Sequence, residues 1–212
     1  NLSFIDKAAR QETFVSCREI GSTQMIPEDI LAPGDLFTVG FDSVDKRYSL
    51  YRIQISATPG GHKLNVVGTT GKGIKESARM AFDYLKANAR KMGIDRDIDS
   101  YNLNIQVMSL MQGKDTEDLG VAFFIALISA LLGKPIAASL VVLGKMSIHG
   151  VLSRVEGLGD KLRITMDAGA KKVMLPTDNQ KDFAQLPTEI IDKLNIIFYS
   201  DPTQAAFKAL AE

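Results

Sequence analysis

The sequence predicts an α/β (α+β) domain carrying a small β-rich N-terminal extension. Three observations predict it. Short segments with two-residue apolar alternation are interleaved with longer ones whose apolar residues recur at three- and four-residue steps, so strands alternate with helices. The run 119–132 is apolar on every side, which places that helix inside a core. Gly93, Gly133 and Pro135 stand where helices should stop.

Two strands, residues 13–19 and 35–41, fall in the first 46 residues, separated by a stretch containing Pro27, Pro33 and Gly34. Residues 1–46 therefore read as a β-rich extension adding peripheral strands, and residues 47–212 as the main domain. A strand over 48–57 leads through Thr58-Pro59-Gly60-Gly61 to a return strand with Leu64, Val66 and Gly68 on one face, a β-hairpin in outline. Residues 72–92 place Ile74, Ala78, Ala81, Phe82, Leu85, Ala89 and Met92 on one helical face. A strand over 103–107 and a polar loop over 109–118 precede the buried helix. Strands at 138–143 and 147–152, a helix at 158–168, strands at 172–175 and 195–199, and a helix at 203–210 complete the chain.

Composition excludes several classes. Lys+Arg 25 balance Asp+Glu 25, so the chain alone has no steep, sequence-independent attraction to nucleic acid. One cysteine, Cys17, excludes an internal disulfide and reads as a small buried hydrophobe. The absence of a disulfide framework fits a reducing cytoplasm. His62 and His149 have no neighbours at metal-ligand spacing, so no metal site is expected. Gly68-Thr69-Thr70-Gly71-Lys72-Gly73 lacks the spacing of a phosphate loop, and no cofactor is expected in this chain. The most apolar run, 14 residues, is short of the ~20 that cross a bilayer, so no membrane contact is expected. The opening Asn1-Leu2-Ser3, without Met, suggests a piece of a longer protein.

A series of segments in fixed order carries the functional expectation. Lys63-Leu64-Asn65-Val66-Val67-Gly68, Lys75-Glu76-Ser77-Ala78 and Lys91-Met92-Gly93-Ile94-Asp95 resemble the start of the Lon peptidase domain. Asp115-Thr116-Glu117-Asp118-Leu119-Gly120 stands where that family has Asp-Gly-Pro-Ser-Ala-Gly. The helix end Ala126 to Pro135, then Gly150, Gly157-Leu158, Asp160-Lys161-Leu162 and Ala168-Gly169-Ala170 to Val173, continue in one register. Leu175-Pro176, Asn179, Asp182 and Leu186-Pro187 keep the family's closing rhythm. The resemblance covers about residues 48–211 and implies the Lon peptidase fold.

Carried over in that register, the family's serine falls on Asp118, and its dyad lysine on Lys161, 43 residues on. The threonine beside the dyad falls on Leu143, and a glutamate on Lys145. The loop's first glycine and its proline are Thr116 and Glu117. A Ser/Lys dyad needs a neutral amine to take the hydroxyl proton, and burial favours that form. A carboxylate beside the lysine favours the charged form, and Asp118 has no hydroxyl with which to form an acyl ester. The expected pairing is a salt bridge. Asp118 as an N-cap of the following helix remains an open and compatible alternative.

Among Lon relatives, the acid at the serine position, the N-terminal extension and Phe198-Tyr199-Ser200-Asp201-Pro202 look most like the Lon-like proteins of BREX phage-defence systems. That resemblance implies an upstream AAA+ module using ATP and Mg²⁺, a homo-oligomeric ring, hexameric at full length, and DNA contact only through the full assembly. The leading expectation is a catalytically silent, ring-forming Lon-like domain. The alternatives are a serine-type endopeptidase with a displaced nucleophile, Thr116 or Ser109, and a small-molecule or peptide-binding module reusing the site.

Overall fold

The computed structural model describes residues 2–6, 11–15, 24–61, 63–68, 71–94 and 97–211. Cys17, His62 and the far end of the strand expected at 13–19 lie outside the described residues. Strands β1 (Leu2–Asp6) and β2 (Gln11–Val15) form an antiparallel pair.

The main sheet has seven strands: β3 (Asp35–Asp42), β4 (Arg47–Pro59), β5 (Leu64–Val67), β6 (Tyr101–Ser109), β7 (Leu140–Val142), β10 (Lys172–Pro176) and β11 (Asn195–Tyr199). A two-stranded hairpin, β8 (Lys145–Met146) and β9 (Leu152–Ser153), stands beside it. The helices are α1 (Lys72–Asn88), α2 (Gly120–Leu132), α3 (Leu158–Asp167), α4 (Gln180–Phe183), α5 (Thr188–Lys193) and α6 (Pro202–Ala209). The sheet order is β11-β10-β7-β3-β4-β6-β5.

Two apolar layers sandwich the sheet. On one face Leu36, Ile53, Ile55 and Ile105 pack with α1, α2 and α6. On the other, Phe37, Val39, Leu50, Val141, Val173 and Leu175 pack with Leu158 and Leu162 of α3 and Ile190 of α5. Odd and even positions of β3 and β4 serve opposite cores, as strand pleating requires. This explains the imperfect alternation of β4: both of its faces are covered. Helix α2 is buried on nearly all sides and stops at Gly133, whose φ of 67° is left-handed and whose N–H donates to the Ser129 carbonyl.

Three local expectations need correction. First, β4 and β5 do not form a hairpin, because β6 lies between them. β6 pairs with β4 over nine positions, from Tyr51↔Ser109 to Pro59↔Tyr101, and β5 adds parallel to its far side through the α1 crossover. The longer strand takes the interior place, and four-residue β5 takes the edge. Second, β3 is not peripheral. It is the middle strand, antiparallel to β4 over eight positions and parallel to β7 at Phe37↔Val141. A boundary at 46/47 falls in the β3–β4 turn. Third, residues 147–151 form the β8–β9 turn and not a strand. The Ser147 hydroxyl accepts the His149 and Val151 N–H groups, and Gly150 has a φ of 79°.

Candidate functional site

The loop over 109–118 is tethered at Lys114 and Asp115 as it reaches the site. The Asp115 carboxylate accepts the Gly73 and Ile74 N–H groups, occupying amides at the start of α1. A Cβ on Gly71 would stand 2.0 Å from the Asp115 carboxyl carbon, so the glycine just before α1 admits this carboxylate. Asp42, fully buried, accepts the Val44 and Asp45 N–H groups on one oxygen and the Lys114 N–H on the other. Burial raises the Asp42 pKa, but these backbone donors outweigh it and hold the carboxyl below its ordinary range.

The loop delivers Asp118 to Lys161. Lys161 Nζ donates to Asp118 Oδ2 at 2.7 Å, and the same oxygen accepts the Phe41 N–H at 3.0 Å. Asp118 thus joins the end of β3 to α3. The Lys161 side chain is 5% exposed and that of Asp118 26%. Lys161 sits one turn into α3, its N–H bonded to the Gly157 carbonyl. Its ammonium lies 5.8 Å from the Tyr48 ring centroid, and Tyr48 stacks edge-on with Phe41 at 5.3 Å. Burial first, then the Asp160, Asp118 and Glu156 charges, push the Tyr48 phenol up. Gly157 has a φ of 59°, and a Cβ there would stand 1.8 Å from the Tyr48 hydroxyl. The start of α3 therefore fits over Tyr48 only as glycine. Asp118 does not cap α2, whose first turn has no side-chain cap.

A second ion pair crosses the same cleft: Lys145 Nζ donates to Glu117 Oε2 at 2.8 Å. The Glu117 hydrogen bond raises the Lys145 pKa against the effect of burial, helped by the Glu117, Asp118 and Glu156 charges. These are the two residues that the sequence register expected in place of a proline and a glutamate. Each departure supplies the other's partner. Opposite changes of charge at 117 and 145 were the available sequence signal for this pair. The cleft measures about 460 Å³ and is lined by Phe41, Tyr48, both ion pairs, Ser43 and Ser153 among others.

The remaining sequence candidates lie apart from this cleft. Leu143 is fully buried in the apolar layer with Val141 and Leu162, and its carbonyl accepts the Tyr199 hydroxyl at 2.6 Å. Thr116 is 1% exposed, packs on Gly40 and accepts the Asp118 N–H. The Ser109 hydroxyl accepts the Gly113 N–H. Neither hydroxyl lines the cleft. Across it, Asn179 bonds both backbone groups of Val155 and one oxygen of Asp182, whose carboxylate also pairs with Arg154. Among the described residues no acid, histidine or cysteine group is arranged to hold a metal ion, and no helix is long and apolar enough to cross a membrane.

Helices on both faces of a mixed sheet are consistent with a Lon-type proteolytic domain. The Lon protease (S16) C-terminal proteolytic domain family matches residues 43–212, and the chain belongs to it. It is 34% identical over 211 residues to the Lon-like protease BrxL of Escherichia coli O9:H4 (strain HS), covering 99% of this chain and 30% of that protein. It is 35% identical over 213 residues to the Lon-like protease BrxL of Bacillus cereus (strain H3081.97), covering 99% and 31%. Against the Lon protease of Methylocella silvestris the identity is 30% over 163 residues, 75% of this chain and 20% of that protein. The chain spans under a third of the length of these relatives.

Proposed function

We propose that this chain is the Lon-like domain of a larger AAA+ ring protein of BREX phage defence, and that it acts as a structural, non-peptidase part of that ring. The observation that supports this most directly is the 2.7 Å contact between Asp118 and Lys161. A carboxylate at the serine position cannot form the acyl ester of a serine peptidase. A lysine ammonium engaged by that carboxylate has no free lone pair with which to take a proton. Glu117–Lys145 and the buried Leu143 extend the change beyond one residue. In this reading residues 47–212 carry the Lon-like unit, with β3 completing its sheet. ATP and Mg²⁺ belong to an upstream module, the homo-oligomer is a hexameric ring in the cytoplasm, and DNA is met only by the full assembly.

The test is to incubate the purified chain with unfolded casein and with a fluorophosphonate probe. No cleavage and no labelling are expected. A peptidase with a displaced nucleophile would have to draw on Ser43 or Ser153, the serines that line the cleft. Labelling of either, abolished by Lys161→Ala, would overturn the structural reading in favour of that one.

A further inference from the structure

Beneath the loop that carries Asp118, three hydroxyl groups share one face of the sheet. Thr38 and Tyr51 are direct cross-strand partners, and Ser49 lies two residues from Tyr51 opposite Gly40. Thr38 and Ser49 are 0% exposed and Tyr51 1%. None of the three hydroxyl oxygens has a hydrogen-bond partner among the described residues. Ser49 lies close enough to ease the Tyr51 phenol, yet the two make no bond of acceptable geometry. Burial, with the Asp42 and Asp115 charges, drives that phenol far above its usual range, so it stays a neutral donor.

Buried polar groups are nearly always satisfied, by protein or by an ordered water. The loop closes the space above them: a Cβ on Gly113 would stand 2.3 Å from the Tyr51 hydroxyl and 2.7 Å from that of Ser49. Both oxygens therefore lie within about 5 Å of each other, the span of a single bridging water. Thr116, on the same loop, covers Gly40 on the other side and fixes the Asp118 N–H.

We propose that Ser49 and Tyr51 form a binding site for an internal water molecule that seats the 109–118 loop on the sheet, with the unpartnered Thr38 hydroxyl on the same face. The water accepts from the Tyr51 hydroxyl and is shared with Ser49. The loop is then held at three kinds of point: carboxylates at Asp42 and Asp115, an ion pair at Asp118, and solvent beneath Gly113.

The sign of one substitution separates this from a dry, unsatisfied hydroxyl, and a crystal structure separates it from a direct Tyr51–Ser49 bond. Tyr51→Phe removes only the hydroxyl. If that hydroxyl is dry and unsatisfied, its removal stabilises or changes nothing; if water satisfies it, removal destabilises. We expect the melting temperature to fall by roughly 2–6 °C, and amide exchange across residues 113–118 to rise by about tenfold as the loop loosens. A crystal structure of the chain at high resolution reads the same question directly. An ordered solvent oxygen within about 3.2 Å of both the Tyr51 and the Ser49 hydroxyls is the expected result. A direct Tyr51–Ser49 hydrogen bond with no solvent oxygen there would overturn the proposal, as would a Tyr51→Phe variant at least as stable as the parent chain.

Discussion

Breaking the Asp118–Lys161 pair from its two ends should not cost the same. Asp118→Ala leaves an ammonium on a side chain that is 5% exposed. Lys161→Met leaves a carboxylate on a side chain that is 26% exposed and keeps the Phe41 N–H as a donor. Removing one partner of a fully buried pair costs about 3–5 kcal/mol, whereas exposed pairs contribute about 0–1 kcal/mol. The stranded lysine belongs near the first limit and the stranded aspartate near the second. Discounting for the open side of the cleft, Asp118→Ala should cost about 2–3 kcal/mol and Lys161→Met about 1 kcal/mol. In a chain of this size that corresponds to roughly 4–12 °C against 2–4 °C in melting temperature. The double variant Asp118→Leu/Lys161→Met should recover most of the larger loss, since neither charge is left alone. Urea unfolding followed by circular dichroism at neutral pH measures all three. Equal losses from the two single variants, or a larger loss from Lys161→Met, would refute the reasoning that burial of the ammonium dominates.

Asp118→Ser should give faint fluorophosphonate labelling and no casein hydrolysis, because Leu143 is buried and Glu117 still binds Lys145; a misplacement of ~1 Å costs roughly a hundredfold in rate. Robust casein cleavage by the single variant, matching that of Asp118→Ser/Leu143→Thr/Glu117→Pro, would show instead that one residue alone silences the site. The Asp42 carboxyl is held below its unfolded range, so its contribution is present above about pH 4 and is lost as pH falls through the lower folded value. Urea midpoints between about pH 6 and pH 2.5 should therefore fall more steeply for the parent than for Asp42→Asn. Gly157→Ala combines a left-handed backbone with a collision on Tyr48 and should cost at least about 1–2 kcal/mol, read as a lowered urea midpoint. A double-mutant cycle on the more exposed Glu117–Lys145 pair should return under about 1 kcal/mol of coupling.

Helix α2 was legible because its own residues state its environment: apolar on all sides, it can only be central. The pairing of β6 was not, because two-residue alternation reports which faces are buried and says nothing of which strand lies alongside. The place of β3 was hidden for the same reason, since its partner β7 is about a hundred residues away. The meeting of Asp118 and Lys161 was readable only through a spacing shared with a family, as a loop, a buried helix and three short strands separate them in the chain. Glu117 and Lys145 read singly as two losses, and only as opposite charges do they read as a pair. Thr38, Ser49 and Tyr51 look like ordinary strand residues until the 109–118 loop folds over them.

The middle position of β3 bears on how the polypeptide acquires its shape during synthesis. Residues 35–42 emerge about a hundred residues ahead of residues 140–142, and one flank of that strand stays open until those follow. The β3–β4 hairpin alone is only marginally stable, and α2, apolar on every side, emerges before the β7 side of the sheet can form. Such a chain exposes sticky surface on the ribosome for as long as it takes to add roughly a hundred residues, on the order of 5–20 s. A fragment started at residue 47 would lack the strand onto which both halves of the sheet are built, and is expected to be insoluble where one started before residue 35 is not.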